Sequence, residues 1–269
     1  MRGASPPPAR AASTCLSAQR EATPAPRNEP IMATFALVHG MWHGGWCWRT
    51  VARALRAAGH EVYTPTLTGL GERSHLLSPM AGVNLHVEDV VNVLRFEDLN
   101  DAILVGHSYG GMVITGVAGR VPERLATLVY IDAYVPRDGE SMLSLREPDA
   151  NRQLLAQVRD AGAGWRMPPP PVENFHLQTD DGRTWVQQHL CEAAFAAYTE
   201  PLRVAREWTG PRVYIRAQDH PWAPFDAVYQ QAIADPRWQA HLVAGGHDLM
   251  VDAPEEVARI LLSLAQTAE

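Results

Sequence analysis

The pentapeptide Gly106-His107-Ser108-Tyr109-Gly110 lies directly behind an apolar run, Ala102–Val105, and directly ahead of a helical one, Met112–Val117. This is G-x-S-x-G in a strand–turn–helix context, and the chemistry it suggests is nucleophilic attack by a serine. A serine in so tight a turn has a strained backbone. The residues two before and two after it must lack bulk for the turn to close. Such a turn lifts the Ser108 hydroxyl clear of the sheet edge. It also places the Tyr109 N–H at a helix start, where it can donate to an oxyanion.

A serine hydroxyl needs a base, and behind such an elbow an acid and then a histidine follow in chain order. Gly245-Gly246-His247 stands between the last strand and the last helix, where a base can reach Ser108. The other histidines fit less well. His107 adjoins the serine but points away from the turn, His39 and His43 belong to the first loop, and His220 adjoins the acid. For the acid, the strand Arg212–Ile215 runs on to Asp219, 28 residues before His247. Asp132, just after the strand that ends at Ile131, also satisfies the order; the cleaner strand-end loop favours Asp219. The second oxyanion donor is expected in the loop His39-Gly40-Met41-Trp42-His43-Gly44-Gly45, at the Met41 N–H. His39 and His43 have H-x-x-x-H spacing, but in a glycine-rich turn rather than a helix and without a third ligand. The expectation is a metal-free and cofactor-free mechanism.

The elements that must position these groups alternate. Strands are expected at Thr34–Val38, Glu61–Tyr63, Ala102–Val105, Leu125–Ile131, Arg212–Ile215 and His241–Val243. Helices run between them, including Val87–Leu99 and one closed by Gly59. The last helix opens on Asp252-Ala253-Pro254-Glu255, read as an Asp cap with Pro in the first turn. This alternation means an α/β protein with a doubly wound, mostly parallel sheet. Residues 136–210 break the rhythm with a four-proline run and helical stretches, and no strand is evident there. They read as a helical cap inserted over the strand ends, splitting the core into residues 32–135 and 211–269. Trp165, Met142, Leu143, Phe175 and Phe195 are its candidates for an apolar pocket.

Three stretches carry a resemblance: HGMWHGGWCW from His39, GHSYGG from Gly106 and GGHDLM from Gly245. They resemble the α/β-hydrolase family, in the branch of plant methyl esterases, hydroxynitrile lyases and bacterial pyrethroid hydrolases. The likeness spans nearly the whole core, including LTGLGERSHL at Leu67–Leu76, and is weakest in the cap. It implies an α/β-hydrolase fold, a triad of Ser108, Asp219 and His247, and oxyanion amides at Met41 and Tyr109. Pyrethroid hydrolase-like carboxylesterases look most similar. The lyases carry a lysine after the catalytic histidine and a threonine in the first loop, where this chain has Asp248 and Gly40. Both departures favour an esterase, and Gly40 joins the expected substrate-contacting residues. The expected activity is hydrolysis of hydrophobic carboxylic esters, aryl or pyrethroid-type among them. A lyase or C–C hydrolase on the same triad, or a ligand receptor with slow turnover, are the alternatives.

Composition narrows the remaining classes. The 269 residues carry a net charge of −7, with 46% hydrophobic and 20% charged residues, enough for one large core. No basic face points to nucleic acid. No apolar run reaches the length of a membrane span. All 23 basic residues are arginine, which excludes Schiff-base and phosphate-loop lysines. Cys15, Cys47 and Cys191 are odd in number and widely spaced, so a disulfide framework is not expected and a cytoplasmic setting is. The expected partner is a small-molecule ester, with no nucleic acid and no membrane; a homodimer is left open. Residues 1–31, with six prolines and seven alanines, are expected to be a disordered extension, with Met32 as the working start.

Overall fold

The computed structural model describes residues 1, 3, 32–146 and 148–265, without the side chains of 149 and 150. The expected disorder of 1–31 concerns a segment that lies, all but two residues, outside those described. The chain runs β1 (Thr34–Val38), α1 (Arg49–Ala57), β2 (Glu61–Tyr63), α2 (Val83–Phe96), β3 (Ala102–His107), α3 (Gly110–Arg120) and β4 (Leu125–Ile131). Then come α4 (Pro148–Asp160), β5 (Arg166–Met167), α5 (Asp180–His189), β6 (Ala193–Ala194) and α6 (Ala196–Thr199). The last part holds β7 (Arg212–Ala217), α7 (Ala223–Ala234), β8 (Trp238–Val243), α8 (Leu249–Asp252) and α9 (Pro254–Ala265).

Six strands form one parallel sheet in the order β2-β1-β3-β4-β7-β8. The central strands are apolar on both faces because helices cover both, as in β3, where every residue is buried. On one face α1 and α9 pack together through Trp48, Val51 and Leu55 against Val257, Ile260, Leu261 and Leu264. On the other, α2 and α3 bring Val87, Val90, Leu94, Met112 and Val113 onto the sheet. Each such side chain contributes roughly 1.5–3 kcal/mol by leaving water. Sheet order reverses between β1 and β3, so a crevice opens at their carboxyl ends.

Two details differ from the sequence reading. Segment 136–210 holds the helices α4, α5 and α6 but also a small antiparallel pair, β5 with β6, through Arg166–Ala194 and Met167–Ala193. Strands of two residues give no period to read. Asp252, expected to cap the last helix, instead accepts hydrogen bonds from the Gly246 and Gln178 amides, the former at 2.8 Å. Its carboxylate thus braces the loop that carries His247. Among the described residues no helix is long and apolar enough to cross a membrane.

Candidate active site

The candidate residues converge at the carboxyl ends of β1, β3, β4, β7 and β8. Behind β3 the chain turns sharply, with Ser108 at φ +53°. A Cβ on Gly106 would lie 2.6 Å from the Gly110 carbonyl oxygen, and one on Gly110 would lie 2.8 Å from that of Val38. Both positions therefore require glycine, as the motif implied. Ser108 Oγ stands 2.9 Å from Nε2 of His247, and His247 Nδ1 stands 2.6 Å from Oδ2 of Asp132.

The acid on His247 is therefore Asp132, which corrects the expectation of Asp219. Asp132 follows β4 with φ +43°, and its amide donates to the Ile215 carbonyl at 2.7 Å. This bend turns its carboxylate inward, and the residue is fully buried. Asp219 is exposed, and its carboxylate accepts from the Gly245 amide at 3.0 Å. It steadies the histidine loop through the backbone rather than reaching the imidazole.

Asp132 is densely held. Oδ1 accepts from the Arg216 guanidinium and from the Ala217 amide at 3.2 Å. Oδ2 accepts from Nδ1 of His220 at 2.5 Å as well as from His247. Burial alone would push this carboxyl up; the hydrogen bonds from His220 and His247 outweigh it and hold it well below the usual carboxylate range. Asp132 is thus a fixed anion. It directs the His247 Nδ1–H inward and leaves Nε2 as acceptor for the serine hydroxyl. That arrangement makes a hydroxyl nucleophilic.

The Met41 and Tyr109 amides donate to no protein acceptor among the described residues. Met41 lines the same cavity as Ser108, and Tyr109 follows the serine directly. Both fit the expected oxyanion site. The cavity holds about 300 Å³. Its apolar wall is Trp42, Tyr134, Met142, Phe175, Trp222 and Phe225, with Arg146 and His220 among its polar groups. Met142 and Phe175 are where the sequence suggested. Leu143 packs instead into the main core, and Phe195 stacks on Tyr198. Trp165 lies beneath the Arg166 guanidinium. Gly40 does not line the cavity either: a Cβ there would meet His107 at 2.8 Å and Ser108 at 3.0 Å, so it lets the first loop close onto the elbow. Trp42 and Trp222 were missed because loop aromatics carry no period. A second cavity of about 840 Å³ opens at the opposite strand ends, beside Thr34 and Trp238.

Among the described residues two groups have spacings a metal would tolerate: Asp132, His220 and His247, and His107, His247 and Asp248. In the first, the Arg216 guanidinium already neutralises the carboxylate. In the second, Asp248 accepts from His43 at 3.1 Å. The His39–His43 pair, set aside as a metal site from its sequence context, is otherwise engaged, since Nδ1 of His39 donates to the Gly40 carbonyl and Nε2 accepts from the Leu67 amide.

Burial lowers the pKa of His39 to about 3, that of His220 to about 4, and that of His107 well below the ordinary 6.5. These rings are neutral in the folded protein, whereas in the unfolded chain they take protons near pH 6.5. Their stabilisation is complete above that pH and is lost as pH falls. His43 works oppositely, because its pKa is raised, but it is one ring against these three and against His86 and His241, whose pKa burial also lowers. Each uncompensated proton costs about 1.4 kcal/mol per pH unit. The Tm measured by calorimetry is expected to fall steadily from pH 6.5 to about pH 4.5, before most carboxylates titrate. A flat Tm across that window would contradict the buried neutral rings.

Comparisons with known proteins identify the family. The model of the alpha/beta hydrolase family matches residues 35–260, and the chain belongs to that family. A carbendazim hydrolyzing esterase from Nocardioides sp. is 43% identical over 243 residues, covering 87% of this chain and 100% of the relative. Among solved structures, an extracellular α/β-hydrolase from a Paenibacillus species is similar with a TM-score of 0.72 and 25% identity. It covers 86% of this chain and 98% of that one, and is described as sharing structural and functional homology with tobacco salicylic acid binding protein 2. The pyrethroid hydrolase PytH shares the fold, with a TM-score of 0.65 at 19% identity over 88% of this chain and 100% of its own. The family and its esterase relatives make the chain a carboxylic ester hydrolase.

Proposed function

We propose that the chain is a serine carboxylesterase that cleaves esters with hydrophobic groups through an acyl-enzyme. The observation that carries this reading is the hydrogen-bonded series Ser108–His247–Asp132 at the floor of an aromatic cavity. Ser108 Oγ attacks the ester carbonyl while His247 Nε2 takes its proton. The Met41 and Tyr109 amides hold the resulting oxyanion. His247 returns the proton to the departing alcohol, then activates a water that releases the acid. Asp132 keeps the imidazole in the right tautomer and stabilises it when charged.

The esterase reading over the lyase gains support from Asp248. It stands where the resembling lyases have a lysine, yet its carboxylate is fully buried on His43 rather than in the cavity. Segment 136–210 acts as a cap in this reading, since it brings Met142, Arg146 and Phe175 to the cavity. A cytoplasmic setting is part of the proposal; Cys47 and Cys191 are free thiols, in keeping with it.

A panel of p-nitrophenyl, methyl and bulky aryl esters tests the function. Esters with large apolar groups are expected to have at least about tenfold higher kcat/KM than ethyl acetate, because a mostly apolar pocket rewards buried area. EDTA is expected to leave the rates unchanged. A preference for ethyl acetate, or cyanohydrin cleavage exceeding ester hydrolysis, would overturn the reading.

A further inference from the structure

Directly behind the candidate triad lies a second polar cluster, His43, His107 and Asp248, each almost fully buried. The bonding of its histidines differs. His107 donates Nε2–H to the His247 carbonyl at 3.0 Å, and its Nδ1 has no partner. His39, nearby in the first loop, donates from one nitrogen and accepts at the other. His107 thus needs only one N–H, its Nδ1 having no partner among the described residues, and His39 is satisfied as a neutral imidazole. His43 cannot be. Its Nδ1 lies 2.7 Å from the Met41 carbonyl oxygen, and its Nε2 lies 3.1 Å from Oδ2 of Asp248. A carbonyl accepts only, and so does an ionised carboxylate. A neutral ring has one N–H and would leave a lone pair facing an acceptor lone pair, with no water to intervene. Both bonds together require two N–H groups.

We infer that His43 is an imidazolium, locked between Met41 and Asp248, and that this buried ion pair positions the oxyanion loop against the loop of His247. The placement explains the function of each partner. Met41 is the proposed oxyanion donor, and its own carbonyl is one anchor of His43. Asp248 is the residue after His247, and its carboxylate is the other anchor. The imidazolium therefore ties β1's loop to β8's loop, with the nucleophile elbow between them. Trp46 stacks on one side of the ring at 5.3 Å between centroids, and the edge of Phe175 closes another. The Phe175 carbonyl in turn accepts from the His247 amide at 2.7 Å.

The charged and titratable groups facing His43 are Asp248, the neutral rings of His39 and His107, and the thiol of Cys47 close to Asp248. Only Asp248 among them is ionised at neutral pH. Burial by itself would drive the His43 pKa down; the Asp248 charge and the two hydrogen bonds reverse that. Burial likewise pushes Asp248 up, and His43 brings it to about 2. His43 acts through the loops rather than on substrate, so it is a positioning residue. Its catalytic consequence rests on the esterase reading above, whereas its charge does not.

The test uses the full-length protein with ¹⁵N-labelled histidine, followed by long-range ¹H–¹⁵N correlation from pH 6 to 9. One histidine is expected to keep both ring nitrogens protonated up to at least pH 8. That signal should vanish in His43→Gln, and in Asp248→Asn it should become a neutral tautomer within the range. In kinetics, Asp248→Asn is expected to lower kcat by about 10–100-fold at pH 8 with KM within about twofold, the cost of a misplaced donor. The loss should persist down to pH 6, because without the Asp248 charge burial holds the His43 pKa down. A wild-type spectrum with His43 neutral at pH 8 would overturn the inference, whether or not either variant folds and whether or not esters are turned over. An unchanged kcat in Asp248→Asn, or a raised KM in place of the lost kcat, would overturn the positioning role alone.

Discussion

Asp132→Asn is expected to lower kcat by roughly 10⁴, because an amide can present an N–H to His247 Nδ1 and select the wrong tautomer. Asp219→Asn is expected to stay within about threefold. Its side-chain oxygen can still accept from the Gly245 amide, and a neutral acceptor suffices for an exposed loop bond of 3.0 Å. The contrast is informative because both residues follow a strand and both lie between Ser108 and His247 in the chain. Asp132→Asn should also lower stability, since Arg216 would lose a buried counter-charge and keep only the more exposed Asp226. Breaking one side of a buried pair costs on the order of 3–5 kcal/mol. Steady-state kinetics at a temperature where circular dichroism shows both variants folded separates the two effects. A crippled Asp219→Asn with a mild Asp132→Asn would move the acid back to the β7 loop.

Ser108→Ala and His247→Ala are each expected to cost on the order of 10⁶ in kcat, and the double variant no more than either alone, because the residues act as one unit. Ser108 itself has few structural duties. Among the described residues its hydroxyl bonds only to His247, so the Ala variant should melt within a few degrees of the parent. His247 is more embedded, stacked near Phe175, Phe225, His107 and His220, and its removal opens space beside all four rings. His247→Gln, which fills more of that volume, is the better control for folding. Additive losses in the double variant would show that Ser108 and His247 serve different steps.

The elbow was legible in the sequence because sterics leave few ways to build it. Gly106 and Gly110 are excluded from carrying a Cβ by backbone oxygens at under 3 Å, so the pattern and the geometry are one constraint. His247 was legible for a similar reason: a Gly-Gly-His behind the last apolar run places a ring at a strand end. The acid was not, because two aspartates fit the order, and neither spacing nor period reports which carboxylate turns inward. One signal was available. Arg216 lies inside a strand whose neighbours are buried, and a buried guanidinium demands a buried anion. Asp219, just past the end of that strand, is exposed and does not supply one, whereas Asp132, just past the end of the adjacent strand, is buried and does. The aromatic lining was less legible still. Trp42, at φ +65°, and Trp222 sit in loops whose direction is set by tertiary packing. Leu143 and Phe195, which looked equally suited, pack half-buried against the main core instead.

The proposed mechanism passes through a covalent intermediate at one oxygen. Wild-type protein mixed rapidly with excess p-nitrophenyl ester and quenched in acid within milliseconds is expected to gain the mass of one acyl group. Peptide mapping should place that group on Ser108, and the nitrophenolate burst should match the enzyme concentration. An enzyme that turns over the same ester with no acyl mass on Ser108, or with the group on another residue, would contradict it.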